Sequence, residues 1–423
     1  VALATPLAAC GARAPSGGSP PGPGAPSPAA GPARLQLWYQ LTGQQAEHLA
    51  RVNERFSGAH PQLRVELVTV PEAEMAVKLT AALAAGSPPD MATLGGMSRV
   101  SDLIAQKRVL SLSRYRRDLA RLDWLETFKQ VVVRGDELYA MPTQASALGL
   151  FYNADLYERA GLDPAAPPKT WEALLANAKA IARPESQQWG LAIGTRPITW
   201  TAEQIWIAYL WQAGGEWLSP DGRRAAFNAA PGVEALEFWA DLVRKYQVSP
   251  PKAVDNLVMG QDFEAGAVGQ MTIYAGWAIR AEGMRFPART APLPRHRRPA
   301  TVAAGVTVPI FAESPVPDAA WTYLDWLSQP DHLIDYLSGL GALPPRRSVA
   351  ESAAWAAFTA QHPLLRAFVD GGTPAHLPYY GPGASDIAVL VAQAIEAAVL
   401  GERSPRQALD DAARQANAVL ARG

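Results

Sequence analysis

The chain has 423 residues, is 48% hydrophobic and carries a formal charge of −1, from 38 Lys and Arg against 39 Asp and Glu. That apolar content suffices for two sizeable cores, and near-neutrality without a basic stripe excludes a nucleic-acid surface. The single cysteine excludes internal disulfides and a cysteine-based metal centre.

Residues 1–9 are apolar, uncharged and end in small side chains, and read as the tail of a signal peptide. The run Leu7-Ala8-Ala9-Cys10 resembles a bacterial lipobox, in which lipid is attached to the Cys and cleavage falls just before it. Cys10 is therefore the expected lipidation site. From Gly11 to Ala33 every residue except Arg13 is Gly, Ala, Pro or Ser. Such a stretch buries too little apolar surface to offset its ordering entropy, so residues 10–33 read as a lipidated Cys and a disordered linker. Fully extended at about 3.1 Å per residue, it reaches roughly 70 Å. No later apolar run is long enough to span a bilayer. The expected location is extracytoplasmic, lipid-anchored to a bacterial membrane, in a periplasm or at a cell surface.

The folded body opens on Leu35-Gln36-Leu37-Trp38-Tyr39, which alternates as a strand does. Leu49, Val52 and Phe56 place a helix over 45–56, and Leu63 to Val68 alternates again. A second amphipathic helix over 74–85 is stopped by Gly86 and Pro88, and Asp90 to Leu94 is a short buried strand closed by Gly95-Gly96. Strand, helix, strand, helix, strand implies a parallel sheet with helical crossovers, the α/β class.

The pattern restarts after Pro142. Leu148 to Tyr152 is an apolar strand, Asn153 begins a helix, and Thr170 is an N-cap ahead of a helix over 171–182. Residues 189–193 read as another short strand, followed by helices at 201–213 and 231–246 and a strand at 271–274. Two α/β lobes with a ligand crevice at the strand ends follow from this restart.

No pair of the six histidines has metal-ligand spacing on one helix turn, and there is no phosphate loop, dinucleotide fingerprint or nucleophile elbow. Asp331, His332 and Asp335 lie close together, but Asp331 after Pro330 reads as a first-turn helix acid. No cofactor or metal is implied, and no enzyme is expected. Two short basic clusters, Arg114 with Arg116 and Arg117, and Arg295-His296-Arg297-Arg298, read as solvated surface. An anion or headgroup contact is the alternative for the second.

Thirteen tryptophans stand out. Flat amphipathic rings suit the apolar faces of sugars, with amides and hydroxyls for the sugar hydroxyls. Trp171, Trp239, Trp321 and Trp326 have helical apolar spacing and read as core. Trp277, after a strand and beside Gly276, reads as a cleft residue. Trp200 and Trp206 are balanced between core and cleft.

Four segments together resemble the extracellular solute-binding proteins of family 1, the carbohydrate-binding subunits of bacterial ABC importers. They are Lys78 to Asp90; Leu150-Phe151-Tyr152-Asn153 running through Ala160-Gly161-Leu162 to Lys169-Thr170-Trp171; Gly276-Trp277-Ala278; and Ala304-Gly305-Val306 with Ala319-Ala320-Trp321 to Leu327. The resemblance implies a two-lobed, type II periplasmic-binding-protein-like fold. The N-terminal lobe would span 34–143 plus 294–343, and the C-terminal lobe 144–293 plus 344–423. Hinge crossings would fall near 144–148, 292–294 and 342–345. It further implies a monomer that closes on a carbohydrate ligand and delivers it to ABC permease subunits in the membrane. The ligand-binding residues it points to are Gln44, Met97, Ser98, Gln144, Trp200, Trp206, Trp277, Gly305, Tyr379 and Tyr380. Amides, hydroxyls and Gly largely replace the acidic first-lobe loops of maltose-type relatives, which leaves other oligosaccharides or a glycerophosphodiester open. A surface-anchored glycan hydrolase is the competing class.

Overall fold

The structure, a computed structural model, describes residues 32–95, 97–118, 123–196, 201–369 and 373–422, apart from the side chains of Ala73, Met97, Ser98 and Thr201. Cys10, the linker and Trp200 lie outside the described residues.

The first sheet is parallel. Strands β1 (Ala33–Tyr39), β2 (Leu63–Thr69) and β3 (Met91–Ala92) pair in the order β2-β1-β3, with Leu37 opposite both Leu67 and Met91. Leu35, Leu37 and Tyr39 point into one core, which gives β1 its alternation. The crossover helix Gly43–Ala59 buries Leu49, Val52, Asn53 and Phe56, a stripe at i, i+3, i+4 and i+7.

Next come β4 (Leu94–Gly95), the hairpin β5 (Val133–Arg134) with β6 (Glu137–Leu138), and the 14-residue β7 (Ala140–Asn153). Asn153 ends β7, and its side chain accepts from the Leu156 amide to start the helix Ala154–Arg159. Thr170 caps the helix Trp171–Ile181 through the Ala173 amide, as its position in the sequence suggests. Residues 189–193 form no named strand. They lie beside β8 (Gln270–Tyr274) through single bridges, Trp189 to Val268 and Ala192 to Met271. Strands β9 (Ala288–Pro292), β10 (Thr301–Pro309) and β11 (Ala375–His376) complete a second sheet of path β11-β10-β7-β8, with β4 on β10 and β9 on β7.

Two separate cores result. The first holds Leu35, Phe56, Met91, Phe128, Met141, Ala145, Val308, Tyr323 and Leu337; the second holds Leu148, Phe151, Trp171, Trp206, Trp239, Met271, Val302, Ile387 and Leu409. Strands β7 and β10 run antiparallel from one core into the other, so together they connect the two lobes. Leu343 bridges to Ala145 at the same place, exchanging N–H···O bonds of 2.7 and 2.9 Å, and borders both cores. β10 is still in the second core at Val302 and Ala304, so the chain crosses later than prolines 292 and 294 suggest.

Val349 and Trp355, which the resemblance assigns to the second lobe, pack in the first core. Arg346 holds them there. Its Nε donates to Asp123 at 2.7 Å, the Ser348 amide donates to the same carboxylate, and these bonds hold Asp123 below the ordinary carboxylate range against its partial burial. Leu364, Leu365 and the helices Ala384–Leu400 and Pro405–Leu420, which pack together, join the second core.

Asp331 stands in the first turn of the helix Pro330–Leu340, His332 stacks on Trp326 with ring centroids 3.8 Å apart, and Asp335 pairs with Arg55 at 2.6 Å. All three are structural. Four arginines of the basic clusters are ion-paired: Arg114 with Asp318, Arg116 with Asp325, Arg297 with Glu234, and Arg298 with Glu216.

Candidate functional site: the crevice between the lobes

The crevice is walled by loops at the ends of the strands. On the first lobe, β1 ends at Tyr39 and the chain turns through Thr42, Gly43 and Gln44 into its helix. Gly43 has φ +55°, a conformation that glycine adopts without the clash a Cβ would bring. On the second lobe, β8 ends at Tyr274 and passes through a single 3₁₀ turn, Ala275–Trp277. These two loops face each other across a cavity of about 1030 Å³ lined by Thr42, Gln44 and Gln45 on one side and Gln261, Trp277 and Arg280 on the other.

Trp277 is half-buried and tightly placed. One edge of its ring lies against the backbone of Gly260 in the helix Asn256–Glu264, where a Cβ would sit 1.7 Å from Cη2. The Arg280 guanidinium lies 4.8 Å from the ring centroid and is itself held by Glu264, 2.9 Å from Nη2 to Oε2. The ring is thus fixed by its edge and by a cation, in the wall of a cavity that both lobes share.

A second region lies under the loop before the helix Ala384–Leu400. Glu203, Gln204, Trp217, Ala304, Tyr379 and Tyr380 surround a void of about 10 Å³, enough for about one water. Glu203 is 2% exposed, its Oε2 has no hydrogen-bond partner among the described residues, and burial pushes its carboxyl up to about 8. Gln204 accepts from the Tyr274 hydroxyl at 2.7 Å. Burial, with Glu203 and Glu72 as neighbouring negative charges, raises that hydroxyl well above its usual value.

The lobes also touch directly. Tyr379 packs against the second core and Tyr380 against the first. Tyr380 donates to Gln130 at 3.2 Å, with the Arg134 guanidinium 5.6 Å from its ring centroid. Asp102, on the first-lobe helix Met97–Ala105, faces Gly383 and Ser385 of the second lobe. Desolvation raises its carboxyl against the polar groups of those two residues.

Of the residues singled out by the resemblance, Gln44 and Trp277 meet at the large cavity, and Tyr379 and Tyr380 meet at the small one. Gln144 is engaged at the β7–β10 connection, its amide donating to the Tyr336 hydroxyl at 2.8 Å. Gly305 is a close-approach residue, where a Cβ would meet the Gln144 carbonyl oxygen at 2.3 Å and the Phe128 ring at 2.4 Å. Trp206 is enclosed in the second core, 0% exposed, with its indole nitrogen unpartnered among the described residues. Met97 and Ser98 open their helix; their side chains, like all of Trp200, lie outside the described residues. Sequence reasoning passed over Glu203, Gln204 and Arg280. Their acids, amides and cations look like ordinary helix surface until the fold brings them to the crevice.

Two α/β lobes joined by paired crossing strands, with an aromatic-walled cavity between them, define a two-lobed ligand-binding protein. Residues 42–332 match the bacterial extracellular solute-binding protein family, and the chain belongs to that family. A binding protein of Brucella abortus is 27% identical over 407 residues, covering 92% of this chain and 94% of that protein. The cyclic α-maltosyl-1,6-maltose binding protein of Arthrobacter globiformis is 29% identical, with TM-score 0.76 over 93% of this chain and all (100%) of that structure. A Thermotoga lettingae solute-binding protein bound to α-D-tagatose shares the fold, with TM-score 0.81, 23% identity and coverage of 92% and 100%.

Proposed function

We propose that the chain is the ligand-collecting component of an ABC importer, capturing a sugar or oligosaccharide between its lobes and delivering it to a membrane permease. The observation that carries this reading is Trp277. A ring held at its edge by Gly260 and over its face by Arg280, in the wall of a cavity shared with Gln44, has the form that stacks on a pyranose. The carbohydrates bound by the Arthrobacter and Thermotoga relatives support the same class of ligand. Gln44, Gln45 and Gln261 supply amides for sugar hydroxyls.

The lobe boundaries fall where β7 and β10 pass between the cores, from Ala145 to Leu148 and from Ala304 to Val308, with a third passage between Trp355 and Leu364. A ligand shifts the lobes toward closure only by its extra contact energy with the closed form. The chemistry is binding without catalysis, and the protein acts as a monomer. Intrinsic tryptophan fluorescence and melting temperature, measured against a panel of neutral and acidic glycans, are expected to respond to at least one of them, with the glycan recovered intact. A panel without any response, or a cleaved glycan, defeats this reading.

The Gly- and Pro-rich stretch after Cys10 supports a tether, with lipid on that thiol holding the lobes near the permease. Expressed in a bacterium, Cys10→Ser is expected to move the protein from the membrane fraction to the soluble fraction with unchanged glycan affinity. Retention of the variant in membranes rules the tether out.

A further inference from the structure

The large cavity between the lobes has a second aromatic side chain in its wall. Phe286 lines it beside Met284, further along the chain from Trp277, and like Trp277 it is half-buried against the second core. Phe263 fixes the Phe286 ring from behind, with ring centroids 5.3 Å apart and planes at 82°. Phe263 is itself 0% exposed. It belongs to the helix Asn256–Glu264, which also admits Trp277 at Gly260 and holds Arg280 through Glu264. Residues 260, 263 and 264 share one helix face. That face braces both rings and the guanidinium, and so sets their positions relative to one another.

The two rings are separate platforms. They make no ring contact with each other among the described residues. Between them runs the helix Ala278–Glu282, which turns Ala278 and Ala281 into the core and leaves Ile279 and Arg280 on the cavity. Arg280 donates from Nη2 to Glu264, and its Nη1, without a hydrogen-bond partner among the described residues, is left to donate to the ligand. A wall of ring, guanidinium and ring suits a chain of pyranoses laid along it. Their apolar faces cover the rings, and their hydroxyls meet the cation and the glutamines opposite. A lone pyranose covers one ring and leaves the other in water. Phe286 has no polar atom to hydrate, so its open face gains from being covered. The cavity, at about 1030 Å³, lies at the top of the range of small-ligand sites, roughly 300–1,000 Å³.

We propose that Phe286 is a second sugar platform, so that the protein selects an oligosaccharide of three or more hexopyranose units over mono- and disaccharides. One unit lies on each ring, and at least one spans the Arg280 wall between them. This rests on the sugar capture proposed above and adds the length of its ligand.

The test is calorimetric titration of wild type, Phe286→Ala and Phe286→Leu with two series of one to five units. One is the curved α-1,4-linked gluco-oligosaccharides, the other the extended β-1,4-linked manno-oligosaccharides. In one series, wild-type affinity is expected to climb about tenfold or more beyond the disaccharide. Phe286→Ala is expected to lose that gain, roughly ten- to thirtyfold for the longer members. Its affinity for the mono- and disaccharide should stay within about twofold of wild type. Phe286→Leu still packs on Phe263 but offers no flat face, and it should lose the same gain. A disaccharide bound as tightly as a pentasaccharide, or a length dependence intact in both variants, overturns the inference and leaves sugar capture standing. A loss equal at every length marks Phe286 as packing and overturns it too. Silence of both series also overturns it, and the wider glycan panel then decides capture by itself.

Discussion

Gly305→Val is expected to destabilise the protein by about 2–3 kcal/mol, read as a lower urea midpoint, and to weaken ligand binding as well. Gly305 lies opposite Ala145 in the β7–β10 pair, one residue before the register shift between Val306 and Thr307. The atom a Cβ would meet at 2.3 Å is the Gln144 carbonyl oxygen, part of the paired strand, which cannot swing aside as a side chain would. The Phe128 ring, at 2.4 Å, is 2% exposed in the first core and is equally confined. Relief comes only from parting the two strands that connect the lobes, so a stability cost and a binding cost arise from one movement. Gly276→Ala is the control: its Cβ would meet nothing closer than the Leu340 carbonyl oxygen at 3.8 Å, and it is expected to be near neutral. Equal midpoints for both variants would show that the strands part without cost.

What could be read in the sequence was local. The alternation of β1, the Asn153 and Thr170 caps and the stripe Leu49-Val52-Phe56 each depend on neighbours a few residues away, and each appears in the fold. The passage of the chain between lobes depends instead on pairings such as Ala145 with Leu343 and Asp123 with Arg346, about two hundred residues apart, which no local pattern records. The tryptophans show the same division. Trp206 sits in a helix whose residues from Ile205 to Leu210 are all fully buried, so hydrophobic period cannot mark a cleft face there. Trp277 follows a strand end and a glycine, a position that loops at a crevice occupy, and it lines the cavity. Glu203 is informative because its buried Oε2 lacks a hydrogen-bond partner among the described residues, and a missing partner is visible only in three dimensions.

Trp277→Ala is expected to weaken binding of the cognate ligand by about 2 kcal/mol or more, roughly thirtyfold, and to remove most of the fluorescence response. The ring could matter as packing rather than as a stacking platform, and Gly260→Ala separates these roles without deleting it. In a helix interior, Gly to Ala alone favours stability by about 0.8–1 kcal/mol. Here the new Cβ would stand 1.7 Å from Cη2 and 2.3 Å from Cζ2 of Trp277, so the indole must leave its present position beside Arg280. If the ring's position is what the ligand recognises, Gly260→Ala lowers affinity about tenfold, although every atom of Trp277 is still present. If the ring only fills space, the variant is as stable as wild type or more so, and binds equally well. Isothermal titration of the two variants beside their melting temperatures distinguishes these outcomes. A loss of affinity in both, with a folded Gly260→Ala protein, is the expected result.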